Sequence, residues 1–203
     1  MQSEPGQFLR HRGAAGHAPE NTLASLETAA GLGVRWVEFD TKLTADGHVV
    51  VFHDDTLERT TGSSGTVAET TLADLWALDA GSWFDAAYAG QRVPTLKEAM
   101  ETLARLSLGA IVEIKPSPGR ERETGLAVAG ALAAGWPETL PAPLIASFEP
   151  TALGAARDTA PNIHRALNVF KIPWGWRNRT KALGCRAEAV DVLPGRTNVA
   201  GVF

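Results

Sequence analysis

One cysteine, Cys185, occurs in 203 residues, so no disulfide can form within the chain and an oxidising compartment is not implied. No stretch approaches the roughly 20 consecutive apolar residues of a membrane-spanning helix. Met1 to Gly6 carries neither a basic start nor an apolar run, so no signal peptide is expected and the cytoplasm is the expected compartment. Basic charge is also short, with 19 Lys and Arg against 23 Asp and Glu, for a net charge of −4. That balance argues against a chain-wide nucleic-acid or membrane surface, and an anionic small molecule would need a local cationic site or a metal ion. What is present is ordinary: hydrophobic residues make up 44% and charged residues 21%, the balance of a globular protein with one sizeable core. With no internal repeat and no composition break, residues 1–203 read as a single domain, and Cys185 as a small structural hydrophobe.

Strand and helix patterns alternate along the chain. Phe8 to Arg10 is extended; Glu20-Asn21-Thr22 opens a helix with Leu23, Leu26, Ala29 and Ala30 at helical spacing, capped by Asn21 or Thr22. Val34 to Asp40 reads as a second strand, Asp46-Gly47 as a hairpin or turn signal, and His48 to His53 as a third strand. Residues 54–93 are rich in Thr, Ser and Gly, with one short helical piece near Leu72 to Leu78; so long a connection is usually functional or disordered. Then follow a helix from Thr95 to Leu106, a strand from Ala110 to Lys115, a helix from Glu121 to Ala134 and a strand from Leu144 to Ser147. A helix from Thr151 to Arg157, a strand from Ile163 to Val169 and a helix from Trp174 to Leu183 complete the pattern. Six strand–helix units are countable, and their alternation predicts right-handed βαβ units in a mainly parallel sheet.

Polar residues gather at strand carboxyl ends, where barrel active sites are built. Glu38 and Asp40 are two apart on a strand and so share a face; Glu113 and Lys115 repeat that spacing. Carboxylates facing the same way inside a barrel repel and lose hydration, which calls for a cation; three of them suit a hard divalent ion such as Mg²⁺ or Ca²⁺. Surface carboxylates on half-exposed strands are the plainer reading. His11 ends the first strand and His53 the third, and a histidine pair flanking a phosphodiester can serve as general base and general acid. Arg12 offers a planar fork to phosphate oxygens, Lys115 a point charge. His17 reads as loop packing or solvated, while His48 and His164 lie near strand starts and read as structural. Most of the six tryptophans read as packing; Trp83 in the long connection is the exception to follow.

Taken in order, His11-Arg12-Gly13, Pro19-Glu20-Asn21-Thr22, Glu38-Phe39-Asp40, His53-Asp54 and Glu113-Ile114-Lys115-Pro116 resemble the glycerophosphodiester phosphodiesterase family. Leu57-Glu58-Arg59-Thr60-Thr61, Asp79-Ala80-Gly81-Ser82-Trp83 and Ser147-Phe148-Glu149 resemble its cytoplasmic bacterial branch. The resemblance implies a TIM-type (β/α)8 barrel with a small insertion after the third strand, at about residues 54–93. It implies hydrolysis of a glycerophosphodiester to sn-glycerol 3-phosphate and an alcohol. Under it, His11 and His53 become the acid–base pair, and Glu38, Asp40 and Glu113 the ligands of Mg²⁺ or Ca²⁺. Arg12 and Lys115 become phosphate holders, and Glu20 and Asn21 shape the metal and glycerol side. The implied partner is the small-molecule substrate alone, with no nucleic acid and no membrane span.

The quoted motifs stop near Cys185, and residues 186–203 read as an atypical tail. An eight-stranded barrel typically needs about 250 residues, so the count of six predicts that the last two strand–helix units are lacking. A truncated or frameshifted product is the expectation drawn from this. Two other readings compete: an inactive barrel remnant without turnover, and a related barrel phosphodiesterase acting on phospholipids. The acidic balance counts against the second.

Overall fold

The computed structural model of the chain describes residues 9–170, 175–185, 190–193 and 196–198. Met1 to Gly6, Phe8, Trp174 and parts of the tail after Cys185, all read above from sequence, lie outside the described residues. Strands β1 (Leu9–Arg10), β2 (Trp36–Leu43) and β3 (Val49–Val51) are followed by β4 (Gly109–Ile114), β5 (Leu144–Ser147) and β6 (His164–Val169), then β7 (Val190–Leu193) and β8 (Arg196–Asn198). The helices are α1 (Leu23–Gly31), α2 (Glu58–Thr61), α3 (Leu72–Trp76), α4 (Leu96–Leu106), α5 (Glu121–Gly135), α6 (Pro150–Thr159) and α7 (Trp176–Ala182).

The sheet order is β1-β2-β4-β5-β6-β7-β8, so each new strand joins the same growing edge. Adding strands to one edge, with helices between them, winds a barrel wall; a doubly wound sheet would reverse direction. The steps from β1 to β7 are parallel, and β8 turns back antiparallel on β7. Among the described residues no pairing joins β8 to β1, and the wall is open there.

Two corrections to the sequence count cancel numerically. The run from His48 to His53 is not a barrel strand: β3 pairs antiparallel with β2, off the wall, through Thr41–Val51, Lys42–Val50 and Leu43–Val49. The cause is the turn before it, where Gly47 at φ +81° closes a tight hairpin and Thr44 and His48 pair. A parallel partner needs a crossover of a dozen or more residues, which a hairpin tip cannot supply. The tail read as lacking barrel strands supplies β7 as the sixth parallel strand instead.

Alternation along the strands separates two environments. Val37, Phe39, Val112, Ile114 and Ile145 pack outward against Leu26, Leu103, Val128, Leu132 and Leu153 of the helices, forming the main core. Ile111, Leu144, Ala146 and Ala166 form a separate cluster on the other face, with Leu9 against it. The long connection is ordered: Leu57, Val67, Leu75, Ala80 and Val93 bury themselves with Val50 and Phe52 of the hairpin. Trp83 is exposed beside that cluster, donating from its ring nitrogen to the Ala80 carbonyl at 3.0 Å and meeting Phe84 edge-on.

Helices α5 and α6 meet at Gly125, where an added Cβ would lie 2.3 Å from the Ala152 carbonyl oxygen. Gly130, on the same helix, has only the Thr159 methyl at 3.9 Å. Gly125→Ala should therefore cost about 1–3 kcal/mol by overpacking. Gly130→Ala should gain up to about 1 kcal/mol from lower backbone entropy in the unfolded chain. Urea denaturation of both variants checks the pair, and equal effects would show that the contact between the helices is loose.

Candidate active site

The site begins with the register of the wall. Asp40 pairs with Glu113 and Glu38 with Ile111, so the acids stand in adjacent layers of the inward face. Glu113 pairs onward with Ala146, and Ala146 with Ala166; two methyl-sized side chains leave the acids room in their own layer. Glu38, Asp40 and Glu113 are all buried, and each offers a carboxylate oxygen within 4.8 Å of the others.

Buried like charges must be compensated or protonated. Burial drives the Glu38 carboxyl well above its ordinary range, and the neighbouring Asp40 and Glu113 charges push the same way. Burial, then Asp40, lifts Glu113 to about 7, against the pull of Lys115. Part of the compensation is backbone and amide. The Arg12 N–H donates to Glu38 Oε2 at 3.0 Å, while Asn21 gives its Nδ2 to Asp40 Oδ2 at 2.9 Å and accepts the Asp40 N–H at 3.2 Å. Part is cationic: Arg12 Nε lies 3.2 Å from Asp40 Oδ2, and Lys115 Nζ lies 3.1 Å from Glu113 Oε1 and 3.9 Å from Asp40 Oδ1. Glu38 Oε1 and Asp40 Oδ1 still have no hydrogen-bond partner among the described residues. Two orphan carboxylate oxygens beside a third carboxylate are the donor set a divalent cation takes. The residues present fit a hard metal ion.

The chain leaves β1 through a sharp turn that sets this up. Arg12 (φ +51°) and Gly13 (φ +76°) are both left-handed, and Gly13 donates to the Glu38 carbonyl at 3.0 Å. A Cβ at Gly13 would fall 2.2 Å from Ser25 Oγ, so the turn packs against the start of α1. Thr22 caps that helix by accepting the Ser25 N–H at 3.2 Å. Asn21, the other capping candidate, is left-handed at φ +57°, with its amide spent on Asp40.

His11 stands at the rim, half exposed, with Nε2 3.7 Å from Glu38 Oε2. His53 arrives from the hairpin. Because β3 runs back along β2, the chain beyond it returns to the level of the acids, with Phe52 N–H donating to the Asp40 carbonyl at 3.0 Å. Burial holds both imidazoles below the ordinary histidine value, reinforced by Arg12 at His11 and opposed by Asp40 and Asp54 at His53. Both are therefore neutral at neutral pH. His53 Nδ1 lies 2.5 Å from Asp54 Oδ1, which orients the ring. A pocket of about 430 Å³ opens beside His53, Glu113 and Lys115 and is bordered by Asp54, Phe148 and Glu149. A larger groove of about 870 Å³ lies outside the wall between α4 and α5, away from all of these.

Three residues sequence reasoning did not place belong here. Lys42 follows Glu38 and Asp40 by the same two-residue step, and its buried Nζ bonds Asp55 Oδ1 at 2.5 Å and the Lys115 carbonyl at 3.1 Å. Asp54 follows His53 directly, and Arg59 lies within Leu57-Glu58-Arg59-Thr60-Thr61. Of the other histidines, His17 is exposed, with its carbonyl accepting from Tyr88. His48 sits at the hairpin tip above the carboxyl end of β2, beside Asp46 at 3.7 Å, and not on the opposite face of the wall. Cys185 packs against the core, and burial raises its thiol to about 11.

The raised carboxyls make a signed prediction for the metal-free protein. A carboxyl raised on folding favours the fold while protonated, and that contribution is lost as pH climbs from the unfolded value through about 7 at Glu113. In chelator, the melting temperature should fall between about pH 5 and pH 8. Mg²⁺ or Ca²⁺ should raise it, and by more at the upper end, where protons no longer compete. Differential scanning fluorimetry across that range is the check, and no cation-dependent shift at the upper end would count against a metal site.

Comparison with known proteins gives the site its context. The model of the glycerophosphoryl diester phosphodiesterase family matches residues 11–202, past the point near Cys185 where the quoted motifs end. A phosphodiesterase of Oleispira antarctica, solved with the product sn-glycerol-3-phosphate, is 45% identical with a TM-score of 0.85 over 89% of this chain and 72% of that one. A glycerophosphodiester phosphodiesterase from Agrobacterium tumefaciens is 28% identical with a TM-score of 0.72, covering 88% of this chain and 73% of the other. Glycerophosphodiester phosphodiesterases of Caldanaerobacter subterraneus and Bacillus subtilis are each 43% identical, over 107 and 105 residues. Those matches cover 53% and 48% of this chain, and 44% and 36% of theirs. The chain thus spans less than half the length of these curated relatives. The family match covers nearly the whole sequence, and the chain belongs to the glycerophosphoryl diester phosphodiesterase family.

Proposed function

We propose that the chain hydrolyses glycerophosphodiesters to sn-glycerol 3-phosphate and an alcohol, with a divalent cation, Mg²⁺ or Ca²⁺, held by Glu38, Asp40 and Glu113. One observation carries the reading: three buried acids with orphan oxygens lie among two histidines and two cations, in a chain of this family. The product in the Oleispira antarctica structure supports the same substrate class. The resemblance to the cytoplasmic bacterial branch supports the cytoplasm as its setting.

In this reading the cation, when bound, draws charge from the phosphoryl oxygens and offsets the three acids. Arg12 and Lys115 sit beside those acids with side chains that still reach solvent, at 17% and 24% exposure, so their remaining N–H groups can take phosphate oxygens. Fixed cations beside the phosphate need no reorganisation as charge develops on its oxygens. His11 and His53 approach from different elements, which suits the two ends of an in-line displacement. One neutral imidazole removes the proton of the attacking oxygen, and the other delivers a proton to the departing alcohol. The negative charge of a bound diester raises the pKa of a nearby imidazole, and so supplies the protonated partner that the free site lacks. Glu20 and Asn21 act behind this set: Asn21 holds Asp40, and Glu20 holds Arg12 at 2.8 Å.

Release of sn-glycerol 3-phosphate from glycerophosphocholine should require added Mg²⁺ or Ca²⁺ and stop with chelator. His11→Ala and His53→Ala should each lower kcat by about 10²–10⁴-fold. Both variants should keep the cation-dependent rise in melting temperature, which Glu113→Gln should weaken. Turnover that survives chelator and both histidine changes would sink the reading.

A further inference from the structure

Arg59 lies on α2, a single turn in the long connection, and its side chain is 44% exposed. An exposed arginine usually gains little from ion pairs and spends its time in several rotamers. This one makes four hydrogen bonds to two carboxylates from different parts of the chain. Its Nε and Nη2 meet Asp54 Oδ2 and Oδ1 at 2.6 and 3.1 Å, and its Nη1 and Nη2 meet Glu20 Oε2 and Oε1 at 2.9 and 2.7 Å. Both carboxylates then lead into the site. Asp54 Oδ1 binds His53 Nδ1 at 2.5 Å, and Glu20 Oε1 accepts from Arg12 Nη1 at 2.8 Å. Arg12 in turn lies against Asp40.

We propose that Arg59 is a positioning residue that fixes His53 through Asp54, and that it clasps the connection to the β1–α1 loop at Glu20. Among the described residues, Asp54 has two side-chain partners, His53 and Arg59. Without Arg59 its partly exposed carboxylate is free to turn toward water. A carboxylate bound to Nδ1–H keeps the proton on that nitrogen and leaves Nε2 bare for the reaction, so losing it mixes the two tautomers. Burial works to raise the Asp54 carboxyl, yet the bonds from Arg59 and His53 hold it at about 2, consistent with a permanently charged orienter. The fork shape matters as well as the charge, because one guanidinium spans two carboxylates along two edges and an ammonium cannot. The catalytic part of this proposal rests on the reading of His53 as an acid–base group; the tautomer part does not.

The test uses the full chain with Mg²⁺ and compares wild type, Arg59→Gln, Arg59→Lys, Asp54→Asn and the double variant Arg59→Gln/Asp54→Asn. Ring ¹⁵N shifts of His53 are read without substrate, and kcat and KM are read with glycerophosphocholine below each variant's melting temperature. Arg59→Gln and Asp54→Asn should each move the His53 shifts toward a tautomer mixture and lower kcat by about 10–100-fold, with KM changed by less than about threefold. The double variant should lose no more than the worse single, because the two residues act as one unit. Arg59→Lys should keep the fold with a smaller loss, which covers the case in which the glutamine variant unfolds. Unmoved His53 shifts in the arginine variants, a loss in KM alone, or additive losses in the double variant would each overturn the proposal. Absence of turnover in the wild type would instead overturn the glycerophosphodiester reading, and the ring shifts would still decide whether Arg59 sets the tautomer.

Discussion

Three carboxylates in two neighbouring layers of one wall face cannot all ionise without help, and much of the local structure is that help. Glu38, Asp40 and Glu113 are buried by strands whose other face makes the main core, so they cannot be moved outward without losing the fold. Their neighbours therefore come to them. The left-handed backbone at Arg12 and Asn21 is uncommon for residues with a Cβ. It is maintained because it delivers an N–H to Glu38 and an amide to Asp40. Strain of this kind persists where surrounding contacts over-determine it, and here they do. Gly13 completes the same turn at a point where even a methyl group would strike Ser25.

How much of this could be read from residue order follows from the physics of each feature. The two-residue step from Glu38 to Asp40 gave their shared face, because side-chain parity along a strand is a local property. Strand and helix positions were mostly legible for the same reason; the amphipathic run of α4, with its Thr95–Glu98 capping box, is an example. The partner of each strand was less legible, since pairing is a long-range choice. The run from His48 to His53 is as apolar as a wall strand, and only the tightness of the Gly47 turn sends it back antiparallel. The connection at residues 54–93 looked like an irregular loop because its apolar residues are spaced without a period. It nonetheless folds over them.

Fixed spacing also explains what was missed at the site. Arg59 meets Glu20, 39 residues away, and Asp54 within the same aperiodic connection, so no periodic pattern marks the contact. Lys42 should have been found, since it continues the same parity as Glu38 and Asp40. The two histidines read as strand-end residues, but they reach the site for different reasons. His11 leaves the wall at its own strand end, and His53 returns to it through a hairpin.

That hairpin has a bearing on how the protein can change. The Phe52 N–H bond to the Asp40 carbonyl, with the Thr41–Val51 pair beside it, fixes His53 at the root of the hairpin. The tip is tied down as well: the Ala45 N–H donates to the Thr70 carbonyl at 2.9 Å, Asp46 Oδ1 accepts the Leu72 N–H at 3.0 Å, and Arg120 Nη1 donates to the Thr44 carbonyl at 2.9 Å. Root and tip are thus both held, one by the wall and the other by the long connection and the residue that opens α5. A pair of residues gained or lost around Asp46 and Gly47 would keep the parity of the ladder but break the bonds to Thr70, Leu72 and Arg120. A single residue added between Asp40 and Phe52 on either arm would change the parity of the ladder and turn His53 to the wrong face. Length changes in this region are therefore expected to be rare at the tip as well as in the arms.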